Sequence, residues 1–354
     1  MYKYIKPILF KQDPERVHNR MLRLGRFMGM SRLSRLLRGM FVYRDERLEN
    51  NVLGINFKNP IGLAAGFDKN AYLTNFIPDI GFGFIEVGSM TANACEGNPK
   101  PRLHRLINDK GIIVNYGLAN QGVERIHKRL KGKKFRIPVG ISIAKTNDAS
   151  IKGDESVNDY FKGFESMKDI GDYITINISC PNTGDGRSFE DPVLLEGLLK
   201  KIKSQRSKEI IFLKISPDID KKNLDKILGF SGKYGINGFV ISNLTKKRDG
   251  LSSDENLKHS GGISGVPTAK KSNELIKYVY GKTKGKFTII GCGGVFSGAD
   301  AYEKIKNGAS LIQMITGMIF EGPGIIKKIN MELAELLEKD GYSNIREAIG
   351  KNVK

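Results

Sequence analysis

Short apolar segments rich in β-branched residues alternate with helical patterns from residue 60 onward. Near-continuous apolar strands are typical of a parallel sheet that is covered by helices, and eight such strand and helix units predict a closed barrel. We therefore expect an α/β fold, a (β/α)8 TIM barrel, with a doubly wound open sheet as the alternative. The predicted strands cover residues 60–65, 83–88, 137–143, 173–178, 210–215, 237–242, 286–290 and 309–314.

Residues 1 to about 48 have a different pattern, that of short amphipathic helices with many basic positions. Asp13 is placed to cap the second of these helices and Pro14 to occupy its first turn, and the helix is predicted to end near Met28. Such helices lie in a membrane interface or pack on a neighbouring domain, and both are compatible with this pattern. We expect a small helical extension over residues 1–48 and the barrel over residues 49–354. The apolar positions at helical spacing are Val17, Met21, Leu24 and Met28, and the basic ones are Arg16, Arg20, Arg23 and Arg26.

The overall charge and the cysteines narrow the class of protein. Lys and Arg number 58 against 38 Asp and Glu, a net charge of +20, which favours contact with phospholipid headgroups, nucleic acid or phosphorylated ligands. A generally basic proteome is the alternative explanation of this charge.

The cysteines and the apolar runs narrow the class further. Cys95, Cys180 and Cys292 are irregularly spaced and predict neither a disulfide framework nor a metal cluster, which fits a reducing cytoplasm. No apolar run approaches the roughly 18 residues needed to span a bilayer, so membrane contact is expected to be peripheral.

Polar residues follow nearly every predicted strand. The carboxyl ends of barrel strands form the active-site face, and glycines there let backbone N–H groups approach a phosphate closely. Lys214 lies inside the apolar run 211–215, where an unpaired charge is costly to bury, so it needs an anionic partner. These features predict a phosphate-bearing cofactor with its ring above the barrel mouth. In strand order, the residues are Gly66, Asp68 and Lys69; Ser89; Ser142 and Lys145; Asn177, Cys180 and Asn182; Lys214; Ser242, Asn243 and Thr245; Gly291, Cys292, Gly293 and Gly294; and Thr316 and Gly317.

Several motifs occur in a fixed order over nearly the whole chain. They are Asp13–Arg16 with His18, Asn59–Lys69, Gly97–Asn98 with Lys100–Arg102, Asn177–Thr183, Leu213–Ile215 with Pro217–Asp218, Gly261–Gly265 and Gly308–Leu311. Together they resemble the dihydroorotate dehydrogenases. The N-terminal helices resemble the extension of the quinone-reducing members, class 2, where it forms the mouth of a tunnel to the flavin.

The resemblance implies oxidation of dihydroorotate to orotate in pyrimidine (UMP) biosynthesis, with FMN as hydride acceptor and a membrane quinone as final acceptor. In that chemistry a base removes the proton from C5 while hydride leaves C6 for the flavin. The matching base here is Cys180, whose thiol, with an ordinary pKa of about 8.5, must be activated or lose its proton in step with hydride transfer. The resemblance also implies a cytoplasmic protein bound peripherally to the anionic inner face of the cell membrane, without a metal or a nucleic-acid partner.

The same resemblance assigns contact residues one by one. Amide side chains suit orotate, because they donate to its carbonyl oxygens and accept from its ring N–H groups. The cofactor contacts would be Ala65, Gly66, Phe67, Asp68, Lys69, Ser89, Ser142, Asn177, Lys214, Ser242, Gly265, Gly294, Ile315 and Thr316. The substrate contacts would be Lys69, Asn115, Tyr116, Gly117, Leu118, Asn177, Asn182 and Asn243. His18 and Arg102 would line the quinone tunnel.

The chain departs from the family pattern at several of these positions. Quinone-reducing members usually carry serine as the base, whereas here the basic extension is joined to Cys180, the residue type of the cytosolic classes. Val114 stands where an asparagine contacts substrate in relatives, and Asn115 replaces it only if the loop shifts. Serine, leucine and isoleucine also stand at Ser142, Leu244 and Ile315 where relatives usually have asparagine, threonine and tyrosine. These changes affect the expected orotate pocket more than the expected flavin site.

Three other functions fit parts of the pattern. One is a quinone-linked flavoenzyme acting on another dihydropyrimidine-like or carboxylate substrate. A second is a tRNA-modifying FMN barrel with a catalytic cysteine, although such enzymes carry their extra helices after the barrel. The third is a non-catalytic scaffold that binds membranes. The sequence predicts no oligomeric state and does not identify the quinone.

Overall fold

The computed structural model describes residues 2–31, 33–179, 189–205, 208–252 and 255–353. Its eight central strands are parallel and closed into a barrel, each paired with its neighbours in the sequence and the last with the first. Closure rules out the open sheet, so the predicted (β/α)8 barrel is confirmed. The barrel strands are Ile61–Leu63, Phe84–Met90, Val139–Ile143, Tyr173–Asn177, Ile211–Ile215, Gly238–Ile241, Thr288–Cys292 and Leu311–Met314.

An α-helix follows each barrel strand except the first, whose connection contains the 3₁₀ helix Ile77–Ile80 instead. The helix Pro14–Ser31 of the extension packs beside this connection. It approaches closely, because a Cβ at Gly25 would lie 2.8 Å from Cδ2 of Leu73. The other helices are Val123–Leu130, Asp154–Met167, Pro192–Gln205, Lys221–Tyr234, Ala269–Thr283, Gly298–Lys306, Thr316–Glu321 and Gly324–Lys339, with 3₁₀ turns at Glu255–Lys258, Val266–Thr268 and Ile345–Ala348.

Aromatic rings fill the amino-terminal half of the barrel interior. Phe84 lies over Gly62 and Tyr173 over Gly140, where an added Cβ would come within 2.3 Å and 2.2 Å of the ring. The hairpin formed by Asn50–Val52 and Ile55–Phe57 closes that end of the barrel and is part of the same apolar cluster. Large rings thus alternate with glycines and make this half of the interior a packed core, and space for a ligand remains at the carboxyl-terminal mouth.

A three-stranded antiparallel sheet covers part of that mouth. Leu103–Leu106 and Gly111–Val114 come from the connection after the second barrel strand, and Gly262–Gly265 from the connection after the sixth. Arg105 in this sheet donates hydrogen bonds to the carbonyls of Phe10 (3.1 Å) and Gln12 (2.8 Å). The sheet therefore holds the end of the first extension helix in place.

The extension contains the helices Tyr2–Phe10, Pro14–Ser31 and Arg38–Phe41 and the 3₁₀ helix Leu33–Leu37. The predicted cap is confirmed, because the Asp13 carboxylate accepts a hydrogen bond of 2.8 Å from the N–H of Arg16. The second helix ends at Ser31 rather than near Met28. One side of the extension packs on the barrel, while apolar side chains on the other side are exposed. No helix in the described ranges is long and apolar enough to cross a membrane.

Asp79 joins the end of the extension to the barrel. Its fully buried carboxylate accepts from Oγ of Ser34 (2.6 Å), forms a two-point ion pair with Arg136 (2.7 and 2.8 Å) and lies 3.3 Å from Nε of Arg38. Burial alone would raise the pKa of Asp79, but the hydrogen bonds from Arg136 and Ser34 outweigh it, and the pKa is lower than usual. The contact therefore stabilises the protein in its charged form.

The substitution Asp79→Asn is expected to lower the free energy of unfolding by about 2 kcal/mol, because it leaves two guanidinium groups without their carboxylate. Urea denaturation at neutral pH measures this. Because the pKa is lowered on folding, the stabilisation is present above the ordinary carboxyl range and is lost as the pH falls through the folded-state pKa. Glu124→Gln, which breaks the exposed pair with Lys128, should leave stability nearly unchanged. Equal effects of the two substitutions would contradict the assignment.

Candidate active site

A cavity of about 170 Å³ lies at the carboxyl-terminal mouth of the barrel, under the three-stranded sheet. We call it the mouth cavity. Residues from the extension, from the barrel strand ends and from the sheet contribute to it. Its lining is His18, Ala65, Gly66, Phe67, Lys69, Ser89, Leu103, Ile112, Val114, Tyr116, Gly117, Leu118, Asn177, Lys214, Asn243, Leu244, Ser264, Ile315, Thr316 and Ile319.

Amide and hydroxyl side chains form a hydrogen-bonded chain along one wall of the mouth cavity. The amide of Asn243 donates to Oδ1 of Asn177 (3.2 Å), and Asn177 in turn donates to Oγ of Ser89 (2.9 Å). Ser142 lies behind Ser89, with 2.8 Å between their hydroxyl oxygens. Because the ends of the second, third, fourth and sixth barrel strands supply these groups, the barrel itself fixes their orientation.

Two lysines bring positive charge to the mouth cavity. Lys214 is only 5% exposed, and no described side chain or carbonyl lies within hydrogen-bonding distance of its Nζ. Lys69 donates to the carbonyl of Gly66 (2.7 Å), and its Nζ lies 3.5 Å from the centre of the Tyr116 ring. Burial and the charge of Arg102 lower the pKa of Lys69 to about 7. Both ammonium groups are therefore poorly solvated, and an anionic ligand would stabilise them.

A second cavity, of about 80 Å³, adjoins the mouth cavity and shares Lys214, Asn243 and Thr316 with it. We call it the glycine cradle, because Gly265, Gly293, Gly294 and Gly317 line it together with Ser242, Ser264, Thr268 and Thr316. The first three of these glycines have positive φ angles. The helix Ala269–Thr283 begins beside Gly294, since a Cβ there would lie 3.1 Å from the backbone N of Ala269. Backbone N–H groups in such a place suit a phosphate.

A third cavity, of about 220 Å³, lies between the extension and the barrel. Its lining is almost wholly apolar, and we call it the apolar passage; among its residues are Val17, Met21, Leu24, Phe76, Ile77 and Met318. It meets the mouth cavity at His18, Phe67, Leu103, Ile112 and Ile319, which line both.

His18 lies at this junction, packed edge to face against Phe67 with 4.8 Å between ring centres. Burial, with Lys69 nearby, lowers the pKa of His18 to about 3, so the ring is neutral at physiological pH. Arg102 does not line either cavity. It is buried in the wall beside Tyr116, where it pairs with Glu15 of the extension and donates to the carbonyl of Glu96 (2.8 Å).

Most described residues predicted to contact the cofactor or the substrate line the mouth cavity or the glycine cradle, but three do not. The Asp68 carboxylate instead accepts from the N–H groups of Tyr72 (2.9 Å) and Leu73 (2.6 Å) and thereby shapes the loop. Ser142 lies behind Ser89. The side chain of Asn115 leaves the mouth cavity because strand alternation directs its neighbours Val114 and Tyr116 inward, and it pairs with Asn98 at 2.8 Å. Cys180 and Asn182 lie outside the described residues, so their roles stay predictions.

Sequence reasoning missed Ser264, which lines both the mouth cavity and the glycine cradle. Its hydroxyl lies 2.8 Å from that of Thr316. The buried Ile263 precedes it, so alternation in a short strand was the available signal. The apolar residues Leu103, Ile112 and Ile319 were also missed, since nothing in their own pattern separates a cavity wall from ordinary core.

The substitution Gly265→Ala is expected to damage the glycine cradle. The residue has a φ of +95°, and a Cβ would lie 2.2 Å from the carbonyl oxygen of Lys110, so the backbone must move. Gly54→Ala is the matched control, because its φ of +83° gives similar strain but nothing lies within 4 Å. We expect Gly265→Ala to destabilise the protein by about 2 kcal/mol more than the control and to lower the amount of the predicted phosphate-bearing cofactor that copurifies. Equal melting temperatures and equal cofactor contents of the two variants would contradict this.

Comparison with known proteins identifies the family. Residues 47–337 match the family model described as dihydroorotate dehydrogenase. Proteins named dihydroorotate dehydrogenase (quinone) from Gloeobacter violaceus and Christiangramia forsetii are 38% and 41% identical over 351 and 341 residues. These alignments cover 99% and 95% of this chain and 98% and 99% of the relatives.

Solved structures agree with the sequence relatives. The crystal structure of Eimeria tenella DHODH in complex with ferulenol superposes with a TM-score of 0.86 at 28% identity and covers 98% of both chains. The ligand-free form of DHODH from the same organism gives a TM-score of 0.85 at 30% identity, over 96% of this chain and 99% of that one. Family match, full-length relatives and shared architecture coincide, and the chain belongs to the dihydroorotate dehydrogenase family of flavin-dependent oxidoreductases.

Proposed function

We propose that this protein oxidises dihydroorotate to orotate through FMN and passes the electrons to a quinone, as a step of pyrimidine biosynthesis. One observation carries the proposal. The mouth cavity, which holds the ammonium groups of Lys69 and Lys214 and a chain of amides, is joined on one side to a glycine cradle and on the other to an apolar passage. A phosphate-bearing flavin, an anionic substrate and an apolar acceptor each have a compartment of matching chemistry.

The residues present fit FMN. Gly265, Gly293, Gly294 and Thr316 would hold its phosphate, and Lys214, which has no hydrogen-bond partner in the described chain, would face the ring. The ammonium of Lys214 would stabilise negative charge on the ring system. FMN, when bound, supplies the hydride acceptor and passes the electrons onward. Ala65, Gly66 and Ser89 line the adjacent wall and would position the ring.

The substrate would occupy the mouth cavity beside Lys69, Asn177 and Asn243. The carboxylate of dihydroorotate would raise the pKa of Lys69 from about 7, because an opposite charge favours the protonated ammonium. The amides would then orient the ring of the substrate. Cys180 follows the strand that delivers Asn177, and we propose it as the base that removes the C5 proton. Val114 and Leu244 would give this pocket a more apolar wall than relatives have.

The extension, residues 1–48, would connect the enzyme to the quinone and to the membrane. The apolar passage opens between its second helix and the barrel, and the neutral ring of His18 lies at the inner end. The outer surface exposes large apolar side chains among basic residues, as interfacial helices do. We propose peripheral attachment to the anionic cytoplasmic face of the cell membrane. The exposed apolar residues that do not line the apolar passage are Tyr4, Ile5, Ile8, Phe27, Met30, Leu33, Leu36 and Met40.

Anaerobic half-reactions test the catalytic proposal. Dihydroorotate is expected to bleach the bound flavin, and a quinone is expected to restore its colour while fumarate and NAD do not. Cys180→Ala should bind FMN normally yet be reduced about 100-fold or more slowly, which is the usual contribution of a general base. Cys95→Ala is the control thiol and should react at the wild-type rate.

Two outcomes would contradict the proposal at different points. A flavin that dihydroorotate does not bleach would refute the substrate and favour another dihydropyrimidine-like or carboxylate compound. Fast reduction of Cys180→Ala would show that another group is the base.

The membrane proposal is tested by vesicle co-sedimentation. Leu36→Glu, at a side chain that is 81% exposed on the extension, should weaken binding to vesicles containing anionic phospholipid by about tenfold or more, because one apolar anchor is replaced by a like charge. Val193→Glu, at an 80% exposed position on the barrel, is the matched control. Equal weakening by both would refute attachment through the extension. Reduction by dihydroorotate should be unchanged in either variant.

A further inference from the structure

A buried ammonium lies behind the glycine cradle, outside all three cavities. Lys304, on the helix Gly298–Lys306, is only 1% exposed. Its Nζ donates to Oγ of Ser272 (3.1 Å) and to Oδ1 of Asn273 (2.6 Å), and it forms no salt bridge with any described carboxylate. Burying a charge with only neutral partners is costly. A stabilising anion nearby would offset that cost.

Hydrogen bonds lead from this ammonium to the cradle. The hydroxyl of Ser272, which accepts from Lys304, donates to the carbonyl of Cys292 at 2.8 Å. That carbonyl belongs to the peptide bond whose N–H is on Gly293, a residue of the glycine cradle. Hydrogen bonds in series polarise one another, so positive charge at Lys304 makes the N–H of Gly293 a stronger donor.

Ser272 also lies directly behind the cradle wall. A Cβ at Gly293 would come within 3.7 Å of Cβ of Ser272 and 2.6 Å of Oγ1 of Thr268. The carbonyl of Cys292 accepts a second hydrogen bond, of 2.9 Å, from the N–H of Ser242. The peptide is therefore held from two sides, and its orientation toward the cradle is fixed by the same groups that polarise it.

We propose that Lys304 is a positioning residue for the phosphate of the cofactor, acting through Ser272 and the Cys292–Gly293 peptide. This inference rests on the proposed function, because it takes FMN as the ligand of the cradle. The phosphate would be the anion that offsets the buried charge. A lysine that only stabilised the core would affect the binding affinity of a flavin equally with and without its phosphate.

The comparison of FMN with riboflavin separates these two roles, because riboflavin lacks the phosphate. The full-length protein is stripped of flavin, and the dissociation constant of each ligand is measured by quenching of flavin fluorescence. We expect the wild type to prefer FMN strongly. Lys304→Met should reduce that preference by about tenfold or more, through the loss of one charge near the phosphate, while its affinity for riboflavin stays close to the wild-type value.

Lys306→Met is the matched control. It removes a lysine of the same helix whose Nζ lies 3.8 Å from Oδ2 of Asp340, and both of these side chains are partly exposed. It should keep the wild-type preference. Ser272→Ala breaks the relay while leaving the ammonium in place, and it should reduce the preference in the same direction, so the test survives if Lys304→Met fails to fold.

Equal weakening of FMN and riboflavin in Lys304→Met, or an unchanged preference in Ser272→Ala, would overturn the inference while leaving the proposed function intact. A wild-type protein that bound neither flavin would overturn both. Inorganic phosphate provides an independent readout, because it should raise the melting temperature of the flavin-free wild type more than that of Lys304→Met.

Discussion

The filling of the barrel interior is the constraint on which the rest of the molecule depends. Rings on alternate strands occupy the space above glycines, so the amino-terminal half has no room for a ligand. Every group that is to meet a ligand must then stand at the other end. This explains why buried lysines, amides and glycines from different strands meet there, although they are far apart in the sequence.

The mouth cavity and the apolar passage differ in the polarity of their walls. The amides and Lys214 lie in barrel strands or just after them, whereas the apolar passage lies between the extension and the barrel and is lined mainly by apolar side chains of both. Tyr116 and Lys69 lie near the boundary, with Arg102 and its partner Glu15 behind them. The buried charges in that wall are paired or stacked on a ring. A polar substrate and an apolar electron acceptor can therefore be bound close together, on either side of the residues that line both cavities.

The strands and the barrel were predictable from sequence, because a buried parallel strand needs a nearly unbroken apolar run. Residues at or just after the carboxyl ends of strands, such as Lys214 and Asn243, were predictable for the same reason, since the end of a strand fixes where these residues lie. The resemblance to a known family added the positions in loops. It carried over Asp68 and Ser142 as ligand contacts, although here both serve the wall behind the cavity.

What escaped prediction depends on packing between distant segments. Ser264 enters the site because its strand pairs with Gly111–Val114, and no local pattern encodes that pairing. Asn115 differs from Ser264, because local alternation places Val114 and Tyr116 at the inward positions, and the loop shift that Asn115 would need is absent. Lys304 looks like one more surface lysine in a helix that also carries Lys306, and only the tertiary structure distinguishes the buried Lys304 from the partly exposed Lys306.

The hydrogen bonds of Arg105 to the carbonyls of Phe10 and Gln12 give the extension an unexpected status. Arg102 and Asp79 also have partners in the extension. Residues before 48 therefore contact three buried or half-buried charged side chains of the barrel. A chain shortened to the barrel would remove the extension partners of all three, and Asp79 would keep only Arg136 of the partners described above. The extension is thus not a detachable anchor, and exchanging it between related proteins would require these charges to be exchanged with it.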